Sequence, residues 1–112
     1  MSTLTITEFL EARIAEDERH ARMLAETDRR PVLSLSATVN HPQRLLAECA
    51  AKRAIIQSYQ SCVYAEAATD ITKEFGVKLT VSGMVKGLEL AIKSLAATYR
   101  DHADYREDWA TK

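Results

Sequence analysis

Apolar residues recur along this chain at three- and four-residue steps, the spacing of one face of an α-helix. The longest such run lies between His41 and Phe75. Leu45, Leu46, Cys49, Ile56, Val63, Ala67 and Ile71 form its stripe, with no Gly or Pro between Pro42 and Gly76. Pro42 suits the first helical position, and Asn40 can accept a bond from a free N–H of the first turn. Gly76 and Val77 supply a Schellman-type stop. The pattern predicts a central helix over about 42–75, roughly 50 Å long at the helical rise. Thr69–Asp70 is its weak point, because both residues are poor helix formers. Arg53 and Gln60 fall on the apolar stripe, and Ala47, Ala50, Ala51, Ala54, Ala65 and Ala68 widen it with small, uncharged surface.

A first helix is expected from about Thr7 to Asp28, capped by Thr5 or Thr7, with Ile6, Leu10, Ile14, Ala21 and Leu24 inward and Asp17 on the same stripe. Pro31 closes it. Val32–Val39 alternates apolar and polar residues, but a lone strand has no ladder partner, so residues 30–40 read as an extended connector laid over the helices. A third helix is expected from a Thr80 or Ser82 cap to about Asp101, carrying Met84, Leu88, Ile92, Leu95 and Tyr99. Gly83, Gly87 and Ala91, four apart, permit a close helix crossing. Tyr105 and Trp109 then share a face of a short C-terminal segment that docks back on the bundle. The fold expected is all-α: one domain over residues 1–112, a bundle of three main helices with a connector and a docked tail.

Composition narrows the function. The chain has 112 residues, a net charge of −1, and seventeen alanines against three glycines and two prolines. Basic and acidic residues alternate, which speaks against a nucleic-acid surface. The N-terminus lacks a basic region followed by an apolar run, and no apolar run nears membrane-spanning length. Cys49 and Cys62 lie on the same predicted helix, about 20 Å apart along it, too far to bridge. They read as small core residues of a reduced cytoplasmic protein.

The candidate chemistry is sparse. Asp17 and Arg53 sit on apolar stripes and are expected to pair with each other or with nearby polar groups. Glu16 and His20 are one turn apart but lack the further carboxylates of a bundle metal site. Glu48 reads as a surface partner of Lys52. His102, Tyr105, Arg106 and Trp109 form the most distinctive constellation, either a pocket or a clasp that closes the core. No residue is assigned as catalytic, and no cofactor or metal is expected.

Three segments carry a resemblance: Phe9-Leu-Glu-Ala-Arg-Ile-Ala-Glu-Asp-Glu18, His41-Pro-Gln-Arg-Leu-Leu-Ala-Glu-Cys-Ala-Ala-Lys-Arg-Ala-Ile55, and Leu95–Trp109 with its closing Asp-His-x-Asp-Tyr-Arg-Glu-x-Trp run. They cover about a third of the chain. The chain resembles the small proteins of actinobacteria and their phages classed as domain of unknown function 6221. The resemblance implies a phage or actinobacterial cytosolic protein and carries no activity. Ala103 stands where the family has Pro, which implies a third helix that runs on. Relatives have a longer, partly cysteine-containing insert where this chain has Gln57–Gly83, so no metal site transfers.

The expected function is a non-enzymatic interaction module, in its specific form a phage accessory factor acting on a host protein. The alternative is a small-ligand or nucleotide-linked enzyme using Asp17, Glu18, Arg53 and the His102–Trp109 cluster. The central helix outruns the first by roughly 17 Å, which would leave apolar surface bare. A homodimer through the second and third helices is therefore expected.

Overall fold

A computed structural model describes residues 4–27, 36–72 and 75–110. Three α-helices carry the fold: α1 (Ile6–Thr27), α2 (Ser36–Thr72) and α3 (Phe75–Ala97). A single 3-10 turn, Glu107–Trp109, follows. No strand occurs among the described residues.

Local chemistry sets the start of α1. The Thr5 backbone N–H donates to Glu8 Oε1 (3.0 Å), and the Glu8 N–H donates to Thr5 Oγ1 (3.2 Å). This reciprocal capping box satisfies two of the N–H groups that a helix start leaves open. The Thr5 N–H bond, joined by one from the Thr5 hydroxyl to the same Oε1 (3.0 Å), holds the Glu8 carboxyl below its ordinary pKa.

The other helix ends differ from the sequence reading. α2 begins at Ser36, so Pro42 lies inside it and the connector expected over 30–40 is shorter. Its remainder, 30–35, lies outside the described residues. The Pro42 side chain is fully buried, and that packing offsets the backbone bond its missing N–H forfeits. α2 passes through Thr69, whose hydroxyl turns back to the Glu66 carbonyl at 2.7 Å, and ends at Thr72. Gly76 is not a stop. It belongs to α3, outside the left-handed region. Thr80 is no cap either; its hydroxyl donates to the Gly76 carbonyl one turn back (3.1 Å). α3 ends at Ala97, despite Ala103. Beyond it the backbone tightens into i→i−3 bonds, from Tyr99 to Ala96 (2.9 Å), His102 to Tyr99 (2.9 Å) and Tyr105 to His102 (3.0 Å).

Helix directions follow from chain reach. The Cys49 thiol lies 3.9 Å from the Ile14 carbonyl, so those residues are level. Thr27 lies thirteen residues after Ile14, and Ser36 thirteen before Cys49. Antiparallel helices bring these ends together. Parallel ones would separate them by roughly 39 Å, beyond the ~32 Å reach of the connecting chain. α2 and α3, joined across two residues, are likewise antiparallel. The start of α1 is thus level with about Gln57. Beyond that level α2 and α3 continue as a two-helix arm, giving a molecule of 62 × 31 × 21 Å.

The core lies in the three-helix body. Phe9, Leu10 and Ile14 pack with Cys49, Ile56, Ile92, Ala96 and Trp109. Val63, Ala67 and Met84, expected inside, are exposed; α1 does not reach Val63 and Ala67, and Met84 lies about 100° round α3 from the buried Val85. Both cysteines are free. No described helix is long and apolar enough to cross a membrane.

Candidate functional site

The polar residues singled out from the sequence converge where α1 crosses the body, with their partners exchanged. Arg53 does not pair with Asp17. Its Nε and Nη2 donate to the two carboxylate oxygens of Glu18 at 3.0 and 2.7 Å. The fork-shaped geometry, more than charge alone, makes this pair specific. The Arg53 bonds hold the Glu18 carboxyl below its ordinary range. Asp17, one residue earlier and so about 100° round the helix, turns toward the C-terminal side. There it accepts the Tyr99 hydroxyl at 2.7 Å.

Tyr99 links two charges. Lys52 Nζ donates to its oxygen at 3.0 Å, and the hydroxyl passes its own proton toward Asp17. The Lys52 ammonium also lies 5.0 Å from the ring centroid. Burial first, then the Asp17 bond, pushes the Tyr99 phenol well above its ordinary pKa, so it stays a donor. Lys52 is therefore not the partner of Glu48, which takes Arg44 one turn earlier (3.4 Å).

The C-terminal constellation assembles round Phe9. Its ring is wholly buried and meets Tyr99, His102, Tyr105 and Trp109 at centroid distances of 6.3, 5.8, 6.0 and 5.1 Å. Tyr105 and Trp109 also stack edge to face at 5.6 Å. The tail's turns, rather than one helix, bring those two rings together. Arg106 stays on the outside, its guanidinium 5.7 Å from the Trp109 ring and tied to Asp108. The Asp104 N–H donates to His102 Nδ1 at 3.0 Å, which orients the imidazole.

Arg13, unremarked in the sequence reading, is buried between these two sets. Its Nη2 reaches Glu16 at 3.0 Å, and its guanidinium lies 5.5 Å from the Phe9 ring. Nε and Nη1 are buried without hydrogen-bond partners. Its position one turn after Phe9 and one turn before Asp17 was the available signal, because it places a charge on the core stripe. Glu16 is committed to Arg13 and His20 is exposed. Among the described residues no three His, Cys, Asp or Glu side chains gather to hold a metal ion. Burial raises the Cys49 thiol pKa, which suits packing and not nucleophilic attack.

The arm differs from the body. Tyr64 is 80% exposed, Leu79 65%, Leu90 59% and Met84 51%. Gln57, Gln60, Ser61 and Tyr64 line an open depression of about 480 Å³ on the outer side of α2. No sequence motif marks this ledge.

A family of unknown function (DUF6221) matches residues 3–111, and the chain belongs to that family. Comparison with curated proteins gives no match, and comparison with solved structures gives none.

Proposed function

We propose that this protein is a non-enzymatic protein–protein interaction module, and that the α2–α3 arm is its docking element. The observation that carries this reading is the set of large apolar side chains the arm presents to solvent, with Tyr64 at 80% and Leu79 at 65% exposure. Large apolar side chains that gather on one exposed element are what a protein partner would cover. The Tyr64 ledge adds an aromatic anchor beside two glutamine amides, which supply adaptable hydrogen bonds. In its specific form, which takes its setting from what the resemblance implies, the protein is a cytoplasmic accessory factor of a phage or actinobacterium acting on a host protein. The His102–Trp109 cluster acts in this reading as a clasp, because its rings are spent on Phe9.

The test places a photo-crosslinking side chain at Tyr64 or Leu79, with Arg19 on α1 as control, in the native cell. Discrete protein adducts at the arm positions and none at Arg19 are expected. Equal labelling at all three sites would overturn the reading.

One observation favours a small-ligand alternative that uses Asp17, Glu18, Arg53 and the aromatic cluster. Arg13 keeps two unpartnered nitrogens, Nε and Nη1, beside Phe9, and a carboxylate or phosphate would satisfy them. Native mass spectrometry separates the readings. A retained small-molecule mass that Arg13→Met abolishes would favour the alternative.

A further inference from the structure

Tyr99 marks a change in how the chain is held. Its hydroxyl meets Asp17 of α1 and Lys52 of α2 at 2.7 and 3.0 Å. Past it, among the described residues, residues 100–110 make no hydrogen bond or ion pair to α1 or α2. Their backbone bonds are local, from His102 to Tyr99, Tyr105 to His102, Trp109 to Arg106 and Ala110 to Glu107. Their side chains keep to the same rule, with the Asp104 N–H on His102 Nδ1 and Arg106 on Asp108. Apolar packing holds the segment down. His102, Tyr105 and Trp109 set their rings against Phe9, and Trp109 enters the shared core. The helical ladder has already ended at Ala97, and the Arg100–Ala97 bond, at 3.3 Å, is the longest of the turn that follows.

Beneath this segment lies a charge that closure leaves underpaired. Arg13 stands one turn after Phe9 and one turn before Asp17 on α1. Both of those neighbours face residues beyond α3: Phe9 meets Tyr99, His102, Tyr105 and Trp109, and Asp17 meets Tyr99. Arg13 therefore faces the same part of the chain, close enough for its charge to act on the Tyr99 phenol. It is only 8% exposed, and its Nε and Nη1 have no hydrogen-bond partner. Its Nη2 is paired with Glu16, whose side chain is 48% exposed and shares its charge with water. A buried lysine can shed its proton, but a guanidinium cannot. Relief for the unused donors has to come from movement of what covers them. Their desolvation is a cost of the closed segment that an open one does not bear. Ring packing and the buried cation thus act in opposite senses on one short piece of chain.

We propose that residues 100–110 are a lid that comes away as a unit while the three helices stay folded, with Arg13 favouring the open form. Segments without strong ties open separately from the rest of a fold. Tyr99 stays behind as the hinge post, because Asp17 and Lys52 keep its hydroxyl. Opening bares the Phe9 ring and the Arg13 guanidinium together, 5.5 Å apart, a surface the closed chain withholds from any partner. The inference rests on the reading of the His102–Trp109 cluster as a clasp, and adds that the clasp releases. It does not depend on docking by the arm.

Native-state hydrogen exchange of the full chain reads the lid directly. So short a turn does not keep its bonds once released, so the His102, Tyr105 and Trp109 amides should exchange through one shared opening. Relative to their intrinsic rates they should exchange at least ~10-fold faster than the Ile56 amide, which reports unfolding of the body. Arg13→Met removes the unpartnered nitrogens and should slow all three about 5-fold. Three amides as slow as Ile56 would overturn the lid and leave a clasp that is fixed core. Amides with no protection at all would overturn the lid and the clasp together. Both of these outcomes are read in the wild-type chain, whatever the variant does. A shared opening that Arg13→Met leaves unchanged or speeds would overturn the proposal as well.

Discussion

The body and the arm use the same two helices for different ends. In the body, α1 and the C-terminal segment complete a third side round α2 and α3, and Phe9, Leu10, Ile14 and Ile92 are wholly buried. In the arm, beyond the reach of α1, Val63 and Val77 are 40% and 47% exposed while the backbone remains helical. Helicity therefore does not report burial in this protein. A helix of 37 residues beside one of 22 keeps its hydrogen bonds to the end, but its apolar face is covered only where a third element stands. Stability should accordingly be concentrated in the body, and association in the arm.

The sharpest way to break that contrast is at the aromatic centre. Trp109→Ala should cost ~3–5 kcal/mol, within the range for truncating a buried Trp. At about 4 °C per kcal/mol this lowers the melting temperature by roughly 12–20 °C. Thermal unfolding followed by circular dichroism gives the value, and a loss within the noise would mean the tail is not part of the core.

Tyr99→Phe should cost ~1–2 kcal/mol, because it leaves Asp17 and Lys52 without the hydroxyl between them. It also carries a pH signature. The folded-state pKa of Tyr99 is raised above the ordinary value of 10.0. Its contribution is thus present in full below pH 10 and lost as pH rises from there toward the folded value. Melting curves at rising alkaline pH should show this fall in the wild-type chain and a shallower one in the Phe variant.

Arg13→Met removes two buried, unpartnered nitrogens, Nε and Nη1, and keeps an apolar side chain against Phe9. Stability should hold or rise by about 1 kcal/mol. A marked loss in urea unfolding would reveal a partner for those groups.

Glu18→Gln should cost only ~0.5–1 kcal/mol, since its partner Arg53 is 40% exposed and water screens the pair. The Glu18 pKa is lowered from 4.5 in the folded state. Its contribution is therefore present above pH 4.5 and disappears as pH falls through the folded value. The Gln variant should lose less stability than wild type over that acidic interval.

The smallest effect belongs to the arm. Tyr64→Ala or Leu79→Ala, judged in the monomer, should change stability by no more than about 0.5 kcal/mol. A large loss in either variant would show that the arm packs into the body's core.

Parts of this arrangement can be read directly from the residues. Leu10, Ile14 and Ala21 keep helical spacing and are buried as expected, and the charges at Asp17 and Arg53 stand out against their stripes. Their partners could not be read in the same way. Asp17 and Glu18 are adjacent acids, and about 100° of helix rotation decides which meets Arg53 and which meets Tyr99. Phe9 shows the same limit. Its neighbours Tyr99, His102, Tyr105 and Trp109 lie ninety to one hundred residues away, where no local periodicity reaches. The α2 boundaries were misplaced because Pro42 and Gly76 are good terminators in isolation. In the folded chain Pro42 is packed within the helix and Gly76 lies in the next one.

By itself the sequence determined an all-α chain of three principal helices, a tail rich in aromatic residues, and a net charge of −1. Those properties depend on propensity, spacing and composition, which act over a few residues or as sums over all of them. The tertiary structure alone decided which charge meets which, that Arg13 is buried with N–H groups to spare, and where the three-helix body gives way to the two-helix arm. Each of these depends on the rotation and level of one helix against another, set by packing between residues far apart in the chain.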